Sequence, residues 1–191
     1  IRDIASKITA DNIPMIDADF HFVTPPFVDS HFHMDATLSY GLPRVNKSGT
    51  LLEGIKLWGE LKPNLTADAI KERALKFCKW AVARGTLAIR SHVDVSGQNL
   101  VGVEALLDVR ETMKDFMDIQ LVAFPQDGLL RAKCLDNLNT ALDMGVDVVG
   151  GIPHFERTME EGHESIRILC EIAEKRGLLT DLHCDETDDP M

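Results

Sequence analysis

The feature that most constrains the fold of this chain is an alternation of strand-like and helix-like runs that starts near residue 87 and continues almost to the last residue. Residues 87–95, 119–124, 146–152 and 178–183 are dominated by aliphatic and β-branched side chains and read as strands. Residues 101–116, 134–144 and 164–176 carry apolar positions at helical spacing, and Gly145 and Gly177 close the second and third of these helices. An earlier strand over 25–30 reads as short and buried, and runs into His31-Phe32-His33-Met34-Asp35. Two further helices follow it. One covers 51–61, with Leu51, Ile55 and Trp58 on one side, and stops at Pro63; the other starts at the N-cap residue Thr66 and closes at Gly85. Apolar strands separated by helices imply a parallel sheet with helices packed over it.

The polar residues of the strands gather at their C-terminal ends. They are His31, His33 and Asp35; His92 and Asp94; Gln126; His154 and Glu156; and His183, Asp185 and Glu186. A doubly wound sheet builds its site in one crevice, whereas a (β/α)8 barrel collects residues from many strand ends. All five strands contribute here, so the expected fold is α/β: strands 1–5 of a TIM barrel over residues 25–191. A barrel has eight strands and typically roughly 250 residues. The five-stranded piece is therefore expected to be incomplete, with open parallel edges, and not a self-sufficient domain. Residues 1–24 have too little apolar material for a core of their own. They are expected to be the edge of a small β-sandwich subdomain, with strands near 1–5 and 15–18 and a turn at Asp11-Asn12. The first residue is isoleucine, so the gene product is not expected to begin there.

Bulk properties exclude several classes of function. A net charge of −11 disfavours a nucleic-acid backbone or an anionic membrane as partner. No apolar run approaches a membrane span, and the N-terminus lacks a signal-peptide pattern. The cysteines Cys78, Cys134, Cys170 and Cys184 form no Cys-x-x-Cys pair, and Cys78 and Cys170 fall on apolar helical faces as small buried thiols. A reducing, cytoplasmic setting is expected. Neither Gly-x-Gly-x-x-Gly nor Gly-x-x-x-x-Gly-Lys occurs, which argues against a nucleotide-cofactor fold.

Residues two apart on a strand share a face, so His31 and His33 present two imidazoles to one side while Phe32 and Met34 pack on the other. Alone, such a pair is as compatible with two hydrogen-bonded strand histidines as with a metal site. His183, on the fifth strand, lies across the mouth of a barrel from them, and three neutral imidazoles suit Zn²⁺ or Fe²⁺. Glu186 leaves the same strand and is placed to shuttle protons. His92 and Asp94 share a strand face, either supporting such ligands or forming a structural hydrogen-bonded pair. His154 is a further candidate for support, and Glu156 a pocket residue without a defined role. His21 and His163 read as surface positions, and Trp58 and Trp80 as packing residues.

These residues resemble the amidohydrolase superfamily, and within it the bacterial cytosine deaminase group, over nearly the whole chain. The resemblance rests on Pro25-Pro26-Phe27-Val28-Asp29-Ser30-His31-Phe32-His33-Met34-Asp35, Ser48-Gly49-Thr50-Leu51-Leu52-Glu53-Gly54-Ile55 and Arg90-Ser91-His92-Val93-Asp94-Val95. It continues in Val122-Ala123-Phe124-Pro125-Gln126-Asp127-Gly128, Val149-Gly150-Gly151-Ile152-Pro153-His154-Phe155-Glu156 and Asp181-Leu182-His183-Cys184-Asp185-Glu186. It implies that His31, His33 and His183 are metal ligands and that Glu186 carries the proton from the attacking water to a ring nitrogen. It further implies that Gln126 binds the amide edge of a pyrimidine and that the Leu51 backbone holds the opposite edge. One divalent ion, Fe²⁺ or Zn²⁺, is implied, and the fourth strand carries no lysine of the kind that bridges two metals.

The implied reaction is hydrolytic deamination of a small amino-substituted heterocycle by a metal-bound hydroxide, cytosine to uracil and ammonia being the first candidate. Isoguanine, creatinine and amino-triazines are the alternatives, and a non-catalytic fragment or pseudo-enzyme is the reading from another class. The other deaminase signature, His-x-Glu with Pro-Cys-x-x-Cys, is absent from the sequence. The family's sixth-strand histidine and eighth-strand aspartate would lie beyond Met191. The 191-residue chain by itself is accordingly expected to be inactive and to hold metal weakly or not at all. The partner is expected to be a small heterocycle, with homo-oligomerisation compatible.

Overall fold

The computed structural model describes Asn12, residues 14–184 and Glu186. Strands β1 (Phe27–Phe32), β2 (Thr86–Asp94), β3 (Asp118–Phe124), β4 (Val148–Gly151) and β5 (Leu179–Leu182) form one sheet in the order β1-β2-β3-β4-β5, every neighbouring pair parallel. Helices α1 (Leu51–Leu61) and α2 (Ala67–Ala83) connect β1 to β2. Helices α3 (Val101–Met113), α4 (Cys134–Asp143) and α5 (Met159–Arg176) connect the later strands in turn.

The sheet is strongly curled. In a flat sheet β1 and β5, four strand spacings apart, would be separated by about 19 Å. Instead the imidazole of His31 on β1 lies 4.7 Å, centre to centre, from that of His183 just after β5. Curvature of this degree, with consecutive strands side by side and a helix between each pair, is that of a half-barrel. Its convex face carries the main core. Ile89, Val93, Leu121, Ala123 and Val149 of the strands pack there with Ile70 and Cys78 of α2, Leu106 of α3, Leu138 of α4 and Leu169 of α5. The alternate residues of β2, Arg90, His92 and Asp94, face the concave side.

Local chemistry sets the element boundaries. Thr50, Thr66 and Thr158 cap α1, α2 and α5, each hydroxyl accepting from the backbone N–H three residues on. Helix α5 thus begins at Met159, over a turn before the expected 164, because Thr158 and the acidic Glu160 and Glu161 form a capped first turn that has no apolar signal. In β4 the adjacent glycines are required by crowding: a Cβ on Gly150 would lie 2.5 Å from the Ala123 carbonyl oxygen, and one on Gly151 2.5 Å from Leu169 Cδ1.

Several expectations are corrected. Residues 15–18 form no strand, and Met15 and Ile16 are each 94% exposed, with no neighbouring strand among the described residues to pair with. The turn at Asn12 is present, while Asp11 and residues 1–5 lie outside the described residues. Strand β1 is mostly exposed, because it pairs on one side only among the described residues. Cys78 is buried but Cys170 is exposed, on the solvent side of α5. In α1 the buried residue is Leu57, whereas Leu51 is 65% exposed.

Candidate metal centre

Four imidazoles converge on the concave side of the sheet. His31 comes from β1 and His92 from β2, His183 directly follows β5, and His33 caps the short 3-10 turn Met34–Ala36 after β1. The ring centres of His31, His92 and His183 are 4.5, 4.7 and 4.8 Å apart. His33 stands 5.3, 5.2 and 5.5 Å from His31, His92 and His183. Phe124, the last residue of β3, closes the cluster with its ring 4.3 Å from His183. His31, His92 and His183 can each offer one nitrogen to a common metal ion, the three atoms lying within 4.8 Å of one another.

The sequence fixes these rings from behind. Phe32 turns away from the histidines and stacks on Phe77 of α2, the ring centres 4.2 Å apart and the planes nearly parallel. Met34 is fully buried, and its N–H donates to Ser91 Oγ at 2.9 Å. Asp35 is buried and accepts the Asp94 N–H at 2.9 Å, tying the turn after His33 to the end of β2. Burial drives the Asp35 carboxyl up to about 7. On the far side, the His183 N–H donates to the Gly151 carbonyl at 2.8 Å and extends the β4–β5 pairing.

Burial and the neighbouring rings favour the neutral form of His33, His92 and His183. The His33 imidazole is pushed down to about 3, by burial first and then by His92, His183 and His31. His92 falls to about 4, chiefly through burial, against the opposing pull of Asp181. His183 is also lowered, with burial the leading cause. Asp181 connects this cluster to the barrel floor. Its carboxylate meets His92 Nε2 at 3.3 Å and accepts Arg90 Nη1 at 2.8 Å, while Arg90 Nε donates to Gln120 Oε1 at 2.7 Å. Burial works to raise Asp181, but the bonds from Arg90 and His92 outweigh it and hold the carboxylate below its ordinary value. With Nε2 directed to Asp181, the other nitrogen of His92, Nδ1, is buried without a partner. Imidazole nitrogens within reach of one point, one of them buried without a partner, form a donor set suited to a divalent ion.

The other candidate residues lie on the loops and turns beyond the strand ends or, for Leu51, at the start of a helix. Gln126 is half-buried immediately beyond β3, and His154 occupies the 3-10 turn Pro153–Phe155 after β4, its Nδ1 buried without a partner. Leu51 is the first residue of α1. Glu186 is exposed, and its charge acts on His183. Asp94 does not pair with His92. It accepts from Trp58 Nε1 at 2.7 Å and Lys62 Nζ at 3.1 Å, and Lys62 also reaches Asp127 Oδ2 at 2.6 Å. Trp58 is therefore a polar tether of α1 as well as a packing residue. These contacts border a cavity of about 280 Å³ between α1, α2 and the end of β2, lined by Trp58, Lys62, Asp94 and Asp127. Sequence reasoning did not single out Asp181, Arg90 or Lys62. For the first two a signal existed: Arg90 and Asp181 each stand two residues before a clustered histidine, on the same strand face.

Comparison with known proteins places this geometry in context. Residues 15–191 match the profile of an amidohydrolase family, Amidohydro_3. The N-isopropylammelide isopropyl amidohydrolase of Pseudomonas sp. (strain ADP) is 34% identical over 96% of the chain, and the pterin deaminase of Rhizobium rhizogenes is 28% identical over 99%. The solved structure of 5-methylcytosine deaminase from Klebsiella pneumoniae with phosphonocytosine superposes with a TM-score of 0.84 at 44% identity, over 87% of the chain. The chain spans less than half the length of these relatives: 47%, 43% and 41% respectively.

Proposed function

The chain belongs to the amidohydrolase family, and from that membership we propose that it forms the metal-binding half of an enzyme that hydrolytically deaminates a small amino-substituted heterocycle, cytosine or a close derivative first among them. The observation that carries this reading is the convergence of His31 from β1, His92 from β2 and His183 from the end of β5, with His33 beside them, onto a point within reach of one metal ion. His31, His33 and His183 are the proposed ligands of one Fe²⁺ or Zn²⁺, with His92 held against them. Such an ion supplies Lewis acidity and lowers the pKa of water toward neutrality.

The chain's own residues supply the remaining steps. Gln126 offers both a donor and an acceptor from one amide, which matches the N–H and C=O of a ring's amide edge. The backbone at Leu51 bounds the opposite edge. Glu186 takes a proton from the attacking water and delivers it to the ring nitrogen as the water oxygen bonds to the amino-bearing carbon. The remaining hydroxyl proton then passes to the amino group, the C–N bond breaks, the carbonyl forms and ammonia leaves. Phe124, fully buried, packs against His33, His92 and His183 and closes that side of the cluster to bulk solvent, while His31 stays exposed. The protein is proposed to work in the cytoplasm, where its cysteines stay reduced.

A second reading is amino-triazine or alkylamino-triazine hydrolysis. It is favoured by the 34% identity to the N-isopropylammelide enzyme. Ammonia and alkylamine release from cytosine, 5-methylcytosine, isoguanine, pterin and N-isopropylammelide separates the two. The assay uses the protein expressed to the full extent of its reading frame and loaded with Fe²⁺ or Zn²⁺. Turnover on a pyrimidine, abolished by a chelator and restored by metal, is expected. Turnover confined to the triazine would favour the second reading, and no release from any ring would overturn both.

A further inference from the structure

The turn that carries Gln126 is fastened from below by a charged pair that the proposed reaction does not use. Gln126 follows β3 directly. Its N–H donates to the Phe124 carbonyl at 3.0 Å, and its side chain makes no hydrogen bond with another described residue. The position of that side chain therefore depends on where the backbone of residues 125–131 is held. Lys62 ties Asp127 from the α1 side, and from below the turn is held by Glu156, at the end of the 3-10 turn after β4.

The Glu156 side chain is completely buried, and its Oε1 accepts the Leu130 N–H at 3.2 Å. Its Oε2 lies 4.0 Å from Arg131 Nη1. Arg131 in turn donates Nε to the Asp127 carbonyl at 3.0 Å and Nη2 to the Phe155 carbonyl at 2.6 Å, bridging the two turns. Gly128 lies over the carboxylate at φ +98°, and a Cβ there would stand 3.0 Å from Glu156 Oε2. Only glycine lets the turn settle this closely on the acid. A fully buried carboxylate is a costly way to stabilise a loop, and an apolar pair would do so more cheaply. Its distinctive product is a fixed spacing between the end of β3 and the end of β4.

We propose that Glu156, with Arg131, is a positioning residue for recognition of the ring: it sets the turn that presents the Gln126 amide. The inference rests on the reading that Gln126 binds the amide edge of the substrate. A double-mutant cycle between Glu156→Ala and Gln126→Ala tests it, run in the metal-loaded protein on the best pyrimidine substrate. Metal content is measured for every variant. E156A is expected to raise KM by about tenfold with kcat changed by less than about twofold, the signature of lost binding. In the Q126A background the same substitution should add almost nothing, because its effect runs through the side chain already removed. Glu156→Gln keeps the shape and the acceptor for Leu130; it should give a smaller KM rise, and it serves as the probe if E156A does not fold. Equal KM losses in both backgrounds, or none in either, would overturn the inference while leaving deamination intact. An unchanged KM in Q126A alone would overturn the reading of Gln126 and the inference with it.

Discussion

His92 differs from an ordinary buried histidine in having only one nitrogen engaged. Asp181 occupies Nε2, Arg90 fixes Asp181, and the unpartnered Nδ1 remains among three other imidazoles. Asp181 thereby holds His92 against the proposed ligands, and partners of this kind around a metal centre set the orientation and basicity of its rings. Asp181→Asn is expected to weaken Zn²⁺ affinity by about 10- to 100-fold in competitive titration with a chelating dye. H31A and H183A should each remove the ion, and wild-type affinity in D181N would show that Asp181 merely fills space. A pH dependence follows as well. His33 and His92, at about 3 and about 4, lie below the ordinary 6.5, so between these values the unfolded chain takes up protons that the folded chain refuses. Metal-free protein should therefore lose stability as pH falls from about 6.5 toward about 4, and H92N should flatten that slope. Melting temperatures recorded across this window in chelator, with the same slope in both proteins, would contradict the assignment. His31 and His33 were legible from their spacing of two. His92 was legible only as a support or as a partner of Asp94; its actual partner, Asp181, lies 89 residues away and only folding brings the two together.

Among the elements, β4 is the most tightly constrained. Gly150 and Gly151 lie where β3, α5 and β5 leave no volume for a side chain. Gly150→Ala would force its methyl against the Ala123 backbone, and is expected to destabilise the fold by about 2 kcal/mol or more, seen as an earlier midpoint in urea; an unchanged midpoint would show that the sheet yields easily. Element boundaries were readable wherever apolar period and punctuation coincided, as for α1, with Pro63 beyond it, and α2, capped by Thr66. They were missed where polar capping chemistry carried the element alone, as at the start of α5. A strand also depends on its neighbour: apolar Met15 and Ile16 form none because the described chain offers nothing to pair with them.

For the whole molecule, curvature is the property that makes a site. Flat, the same five strands would leave His31 and His183 far apart; curled, they bring four histidines from three strand ends into one cluster beside Phe124. The alternation of strand and helix made the parallel sheet legible, and the polar strand ends made the barrel mouth legible. The sequence pattern could not say which of the four rings approach most closely, since that depends on side-chain packing behind Phe32 and Met34. The central claim is that this cluster is a one-metal centre. An anomalous-scattering map at the zinc absorption edge, from crystals of the protein expressed to the full extent of its reading frame and grown with Zn²⁺, tests it most directly. One peak is expected, bonded at about 2.0–2.1 Å to nitrogens of His31 and His183. A peak pair in the mouth, or zinc bound elsewhere with the four rings empty, would contradict it.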